Sequence, residues 1–250
     1  MIAEQHIALT ETFHEPWHYP GAKIQHDSNV DHVGEIFLRC NAKDVVEKCA
    51  TITGELMQKT YGLECRLPEV KIHGHLDATF PYILSHLEYI VGELLRNSIQ
   101  ATMEQGNNEI PPPIEVLICE TSQHVIMRFS DRGGGIPLDV LPYIWSFSKG
   151  PRRSIRLQNL NQVPRMAATM QELRSDLPAK RDSSLSSLTG RAPDLRLGIG
   201  LPMSKIYAEY WAGSLQLHSL EGYGVDAFLQ ISKLGNRNEG ITTRASMDAV

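Results

Sequence analysis

The chain has 250 residues and 42% hydrophobic content, enough apolar material for one ordinary core with extensions. Its formal charge of −5 argues against a nucleic-acid partner, and no apolar run is long enough to span a bilayer. Four cysteines without CxxC spacing (Cys40, Cys49, Cys65, Cys119) argue against a zinc site or a disulfide framework and predict free or buried thiols.

The opening MIAEQHIALTE is too polar for a secretory signal and lacks the Arg-rich, acid-poor character of a transit peptide. Ile2, Ile7 and Leu9 have loose helical spacing, a weak helix signal over 2–12. Residues 13–35 hold Pro, Gly and four histidines without period, which predicts a loop. His14 and His18 flank Pro16, which breaks the helix that a shared metal would need, and His26 and His32 complete no metal pattern. EIFLRC (35–40) reads as a strand. Asn41, with Asp44 behind it, caps a helix running to about Tyr61, with Val45, Val46, Cys49, Ile52 and Met57 on its apolar side. EVKIHG (69–74) alternates like a strand.

Ser85-His86-Leu87-Glu88 has the form of a capping box and predicts a helix start; Leu87, Ile90, Val91, Leu94 and Leu95 follow at helical spacing, and Gly106 predicts the stop. PPPIEVLIC and HVIMRFSD predict an antiparallel pair around Thr121-Ser122, ended by DRGGGIP. MSKIYAEYWAG (203–213) predicts a helix ended by Gly213, and SLQLHS with VDAFLQI a second hairpin. Trp145, Tyr210 and Trp211 read as packing residues, and His73, His75 and His86 as structural. The order of helices and hairpins predicts an α+β fold, a layer of helices on a mixed sheet. The stretch from Lys149 to Gly198 differs: ten basic and four acidic residues with little apolar period, a functional or disordered loop.

Three features carry chemistry. Glu93 and Asn97 stand one helical turn apart on one face; an amide oxygen suits a hard cation, and a carboxylate can take a proton from a hydroxyl. Alone this pair is weak, and a solvent-facing stripe is its bland reading. Asp131 closes a strand, where its carboxylate can accept from an amino group such as adenine's, and Gly133, Gly134 and Gly135 let the backbone turn close to a ligand. Gly198 and Gly200 open a helix with Pro202 in its first turn, a cradle of free N–H groups suited to phosphate. The pattern is neither a Walker loop nor a dinucleotide fingerprint. In this order the features describe a cation ligand, an adenine contact, a basic lid and a phosphate cradle.

ELLRNSIQATME, SDRGGGIP, GIGLPMSKIYAEYWAGSLQLHSLEGYGVDAFLQI and AEQHIALTE resemble the mitochondrial pyruvate dehydrogenase and branched-chain 2-oxoacid dehydrogenase kinases. These are members of the GHKL superfamily, with gyrase and the histidine kinases, and the similarity runs from about residue 2 to 234. The resemblance implies a Bergerat fold, a two-layer sandwich with a long lid loop. It implies a remnant of an N-terminal helical domain over 1–34, an ATP-binding kinase domain over 35–235 with its lid at 148–197, and a tail over 236–250. It implies Glu93 as general base, Asn97 as Mg²⁺ ligand, Asp131 with Gly133 and Gly135 at adenine, Ser148 and Lys149 where the lid meets nucleotide, and Gly198, Ile199, Gly200, Leu201 and Val225 around the cofactor. Tyr89 stands where pyruvate dehydrogenase kinases place His, Arg196 replaces the first glycine of the second glycine box, Val225 replaces a Thr, the lid is longer than the family's, and little of the family's N-terminal helical bundle is expected in this sequence.

The implied function is ATP-dependent phosphorylation of a serine on the E1 subunit of a mitochondrial 2-oxoacid dehydrogenase, in the matrix, by a homodimer docked on the lipoyl domain of the E2 core. Two other readings stay open: a histidine-kinase-like ATPase, with His6 as acceptor by position alone, and a non-catalytic nucleotide-binding regulator.

Overall fold

The computed structural model describes residues 32–33, 36–62, 65–105, 110–147, 149–162 and 197–233. Strand β1 (His32–Val33) pairs antiparallel with β2 (Ile36–Asn41), so the expected loop over 13–35 ends in a short strand. The expected helix over 2–12 lies outside the described residues. Helix α1 (Ala42–Tyr61) starts where the sequence placed it: the Asn41 side-chain oxygen accepts the Asp44 N–H at 3.1 Å. Strands β3 (Val70–Gly74) and β4 (Thr79–Ile83) precede the central helix α2 (Leu84–Glu104).

Strand β4 has no counterpart in the sequence reading, because Pro81 interrupts a short apolar run. The structure tolerates that proline by placing β4 at the edge of the three-stranded sheet β1-β2-β4. The expected capping box is also corrected. Strand β4 runs straight into α2, Ile83 takes the cap position without a side-chain hydrogen bond, and Ser85 is already inside the first turn. Glu88 turns instead to Lys48 of α1, at 2.8 Å. Helix α2 ends at Glu104, and Gly106 lies outside the described residues.

Strands β5 (Ile114–Glu120) and β6 (His124–Asp131) form the first predicted hairpin, and β7 (Ser214–Leu220) and β8 (Gly224–Ser232) the second. They assemble with β3 into a five-stranded sheet in the order β3-β5-β6-β8-β7, mixed because β3 runs parallel to β5. Val125, Met127 and Phe129 alternate inward along β6 and meet Val116, Leu229 and Ala227 on the same buried face. Helices α1, α2 and α4 (Gly200–Tyr210) contribute Val46, Leu95 and Ala208 to that core. This is the expected α+β sandwich of helices on a mixed sheet.

Further corrections concern ends and the lid. Helix α4 starts at Gly200, earlier than Met203. At its other end Ala212, at φ +54°, takes the left-handed position, and Gly213 donates its N–H to the Ala208 carbonyl at 3.0 Å. Within the expected lid, residues 153–162 form helix α3 (Arg153–Gln162), polar enough that no apolar period betrays it; 163–196 lie outside the described residues. Trp211 packs as expected, edge-on to Tyr82 and donating to the Pro81 carbonyl. Cys40 and Cys49 are buried free thiols, their pKa values pushed up by burial to about 11 and about 12, and no described helix is long and apolar enough to cross a membrane.

Candidate functional site

Helix α2 explains its own polar residues by position. It lies between the five-stranded sheet on one side and α1 and α4 on the others, so many polar groups along it are enclosed, and Glu88, Glu93 and Ser98 take partners from its neighbours or from its next turn. Glu93 is 0% exposed and accepts from Arg96 Nη2 at 2.7 Å, one turn further along. Asn97, four residues beyond Glu93, is half-buried on the same side. Ser98 leaves the helix in another direction and donates its hydroxyl to Asp131 Oδ2 at 2.9 Å.

Asp131 ends β6 directly opposite Val225 of β8 and is 8% exposed. Its Oδ1 accepts the Gly133 N–H at 2.9 Å. Burial pushes the carboxyl above the ordinary range, while the donors from Gly133, Ser98 and Val225 pull it back. The glycines after it serve close packing. A methyl at Gly133 would lie 2.8 Å from the Ala101 carbonyl carbon on α2, and one at Gly135, where φ is +78°, 2.8 Å from that of Leu220. The strand end is thereby fastened to α2 on one side and to the β7–β8 turn on the other.

The third wall is the start of α4. Gly200 is buried, and a methyl there would lie 2.9 Å from the Glu93 carboxyl carbon, so glycine allows the first turn of α4 to rest on the acid. Ile199 takes the cap position with no side-chain hydrogen bond, so no side chain caps the first-turn N–H groups. Leu201 packs against the core. Gly198 adopts φ +68° with the Arg156 guanidinium of α3 over it. Arg156 also donates to the Lys149 carbonyl at 3.0 Å. Ser148 lies outside the described residues.

The structure therefore brings together most residues singled out in the sequence. Glu93 touches Gly200, Asp131 reaches α2 through Ser98 and Gly133, Val225 lies across from Asp131, and Asn97 stands on α2 between the two contacts. Among the described residues, Arg156 links Lys149 to Gly198. Three participants were missed. Arg96 had a visible signal, three residues after Glu93 on one helix. Ser98 and Arg156 reach across the fold and had none. The half-buried Asn97 amide offers a neutral oxygen donor, and no cluster of three His, Cys, Asp or Glu occurs among the described residues. That suits a hard cation drawing its other ligands from phosphate and water, as Mg²⁺ does.

No family model matches the chain. It is similar to curated proteins at about the same level across kingdoms. It is 30% identical to pyruvate dehydrogenase (acetyl-transferring) kinase 2, mitochondrial, of Saccharomyces cerevisiae, over 94% of the chain and 53% of that protein. It is 30% identical to the mitochondrial pyruvate dehydrogenase (acetyl-transferring) kinase of Arabidopsis thaliana, over 83% of the chain and 50% of that protein. It is 30% identical to isozyme 1 of the same kinase from Homo sapiens, over 83% of the chain and 42% of that protein. The chain spans about half the length of the curated relatives it matches.

Proposed function

We propose that this chain, which belongs to the pyruvate dehydrogenase kinase family, transfers the terminal phosphoryl group of ATP to a serine on the E1 subunit of a mitochondrial pyruvate dehydrogenase complex. The observation that supports this most directly is the convergence on α2: Glu93, Asn97 and Ser98 sit on one rigid helix, and two of them touch the other motifs, Gly200 and Asp131. Residues 35–235 serve as the kinase domain. The relatives named for pyruvate dehydrogenase favour that substrate over the branched-chain enzyme. Tyr89, the position that resembles the branched-chain kinase, packs edge-on against Tyr207.

The family resemblance suggests the roles, and the geometry supports them. Asp131 accepts from the adenine amino group, its carboxylate aimed by Gly133 and Ser98, with Gly135 and Val225 shaping the surroundings. The N–H groups from Ile199 to Leu201 face the phosphates, with Gly198 admitting them closely, and Ser148 and Lys149 lie at the lid's start. Asn97 holds Mg²⁺, which when bound neutralises charge on the transferring phosphoryl group. Glu93 accepts the proton of the substrate hydroxyl as its oxygen bonds phosphorus and the bond to the leaving diphosphate breaks. Arg96 aims Glu93. Because Glu93 is wholly enclosed beneath Gly200, transfer requires the start of α4 to move off it. A second copy of the chain and the lipoyl domain of the E2 core complete the proposed assembly.

Radiolabelled transfer from Mg-ATP to purified pyruvate and branched-chain E1 components tests the reading. Acid-stable label on pyruvate E1 is expected. ATP binding without transfer would leave a nucleotide-binding regulator, and acid-labile label would indicate phosphohistidine.

A further inference from the structure

Arg96 carries a buried charge whose donors are not all used. It is 8% exposed, and its Nη2 donates to Glu93 Oε2 at 2.7 Å. Its Nε is enclosed with no hydrogen-bond partner among the described residues. A charged N–H enclosed without an acceptor is costly. An ion pair taken out of water is itself weak support for a fold, because its desolvation offsets its attraction. Stability alone is therefore a poor reason for this arginine, whereas an anion that visits the site is a good one.

Two contacts of Glu93 fall on the same oxygen. Oε2 accepts from Arg96, and Oε2 is also the atom that a methyl at Gly200 would meet first. The guanidinium is thus one hydrogen bond away from the atom covered by the first turn of α4, where the phosphates are proposed to rest. When that turn moves off Glu93, the space it leaves borders carboxylate and guanidinium together. Proton transfer then changes the charge balance. As Glu93 takes the proton of the serine hydroxyl it becomes neutral, and Arg96 loses the charge it is paired with. At that moment negative charge is spread over the equatorial oxygens of the phosphoryl group in flight. Those oxygens can replace the lost acceptor of Nη2 and supply one for Nε.

We propose that Arg96 donates to the transferring phosphoryl group, which makes it a catalytic residue as well as the group that aims Glu93. This deepens the phosphoryl-transfer reading and rests on it. In the step the serine oxygen bonds phosphorus, the bond to the leaving diphosphate breaks and the proton passes to Glu93. Arg96 keeps its own protons and exchanges one anionic partner for another. Because Arg96 is already paired before transfer, its contribution falls in the transition state and not in ATP binding. Arg96→Lys keeps the charge and loses the fork. It should lower kcat tenfold or more while KM for ATP changes by less than about twofold.

The test that separates contact from aim is calorimetry of the full chain with Mg-ADP, alone and with aluminium fluoride, which occupies the place of the phosphoryl group in flight. It compares wild type, Glu93→Gln, and Glu93→Gln combined with Arg96→Gln. The combined variant leaves no charge buried alone, and its unfolding midpoint should match that of Glu93→Gln. Glu93→Gln should keep the gain in ADP affinity that fluoride brings, and adding Arg96→Gln should cut that gain tenfold or more, the size of one charge-assisted hydrogen bond. An equal gain in the two would overturn the contact and leave Arg96 only to aim Glu93. So would a wild type that binds Mg-ADP without any gain from fluoride, or an Arg96→Lys variant that raises KM and leaves kcat unchanged. Failure of the wild type to bind Mg-ADP at all would instead remove the nucleotide reading beneath it, and the assignment with it.

Discussion

Glu93 and Asp131 are both enclosed carboxylates, yet their surroundings set them different tasks. Glu93 is tied to a guanidinium and covered by backbone, whereas Asp131 is held by neutral donors from Ser98 and Gly133 at 2.9 Å each. With Asp131 in its proposed role at adenine, removing one of those donors should loosen the reading of the amino group without emptying the pocket. Ser98→Ala is expected to lower the preference for ATP over GTP by about fivefold, the worth of roughly one neutral hydrogen bond. Competition binding with the two nucleotides measures it, and an unchanged preference would separate Ser98 from adenine recognition. At this scale the sequence was legible where one residue type had few other uses, as with an Asp before three glycines. It was silent on Ser98 and Arg156, because nothing local says which distant group a hydroxyl or a guanidinium will meet.

The helices owe their placement to contacts that a periodic pattern cannot show. His86, in the first turns of α2, stacks on Tyr207 of α4 with ring centroids 4.2 Å apart. Burial lowers its pKa from 6.5 to about 4. The folded value lies below the unfolded one, so the neutral ring's contribution is complete above pH 6.5 and is lost as pH falls toward 4. That fall corresponds to about 3 kcal/mol. Unfolding free energies measured from pH 7 to 4 should therefore drop less in His86→Phe than in wild type, and parallel curves would contradict the assignment.

Glycines provide a second comparison between elements. Gly54 lies within α1 with nothing within 4 Å of an added methyl, whereas Gly200 rests on Glu93. Gly54→Ala should stabilise the fold by about 0.5–1 kcal/mol. Gly200→Ala should destabilise it by about 1–3 kcal/mol, as overpacking does. Thermal or denaturant unfolding reads both signs. Elements with strong period or a clear cap, such as α1 behind Asn41 and the two hairpins, were legible. Strand β4 was hidden by Pro81, α3 by its polarity, and the true start of α2 by a Ser-x-x-Glu string that the incoming strand leaves no turn to use.

On the scale of the whole molecule, one buried helix collects the chemistry. Residues from the end of β6 and the start of α4 come from widely separated parts of the chain, and the sandwich brings them against α2 from its midpoint onward, with Arg156 of α3 resting on Gly198. The fold class was readable from the alternation of helices and hairpins. The family was readable from the order of the motifs, and the relatives of three kingdoms agree with it over most of the chain. The enclosure of Glu93 was not readable, since burial depends on where α4 lands. The proposed roles divide the labour between two residues on one helix, with Asn97 for cation-dependent binding and Glu93 for transfer.

Calorimetric titration of Mg-ATP into wild type, Asn97→Ala and Glu93→Gln tests that division most directly. The account predicts binding by wild type and Glu93→Gln, with Asn97→Ala losing it. Equal affinity of wild type and Asn97→Ala in the presence of Mg²⁺ would contradict it.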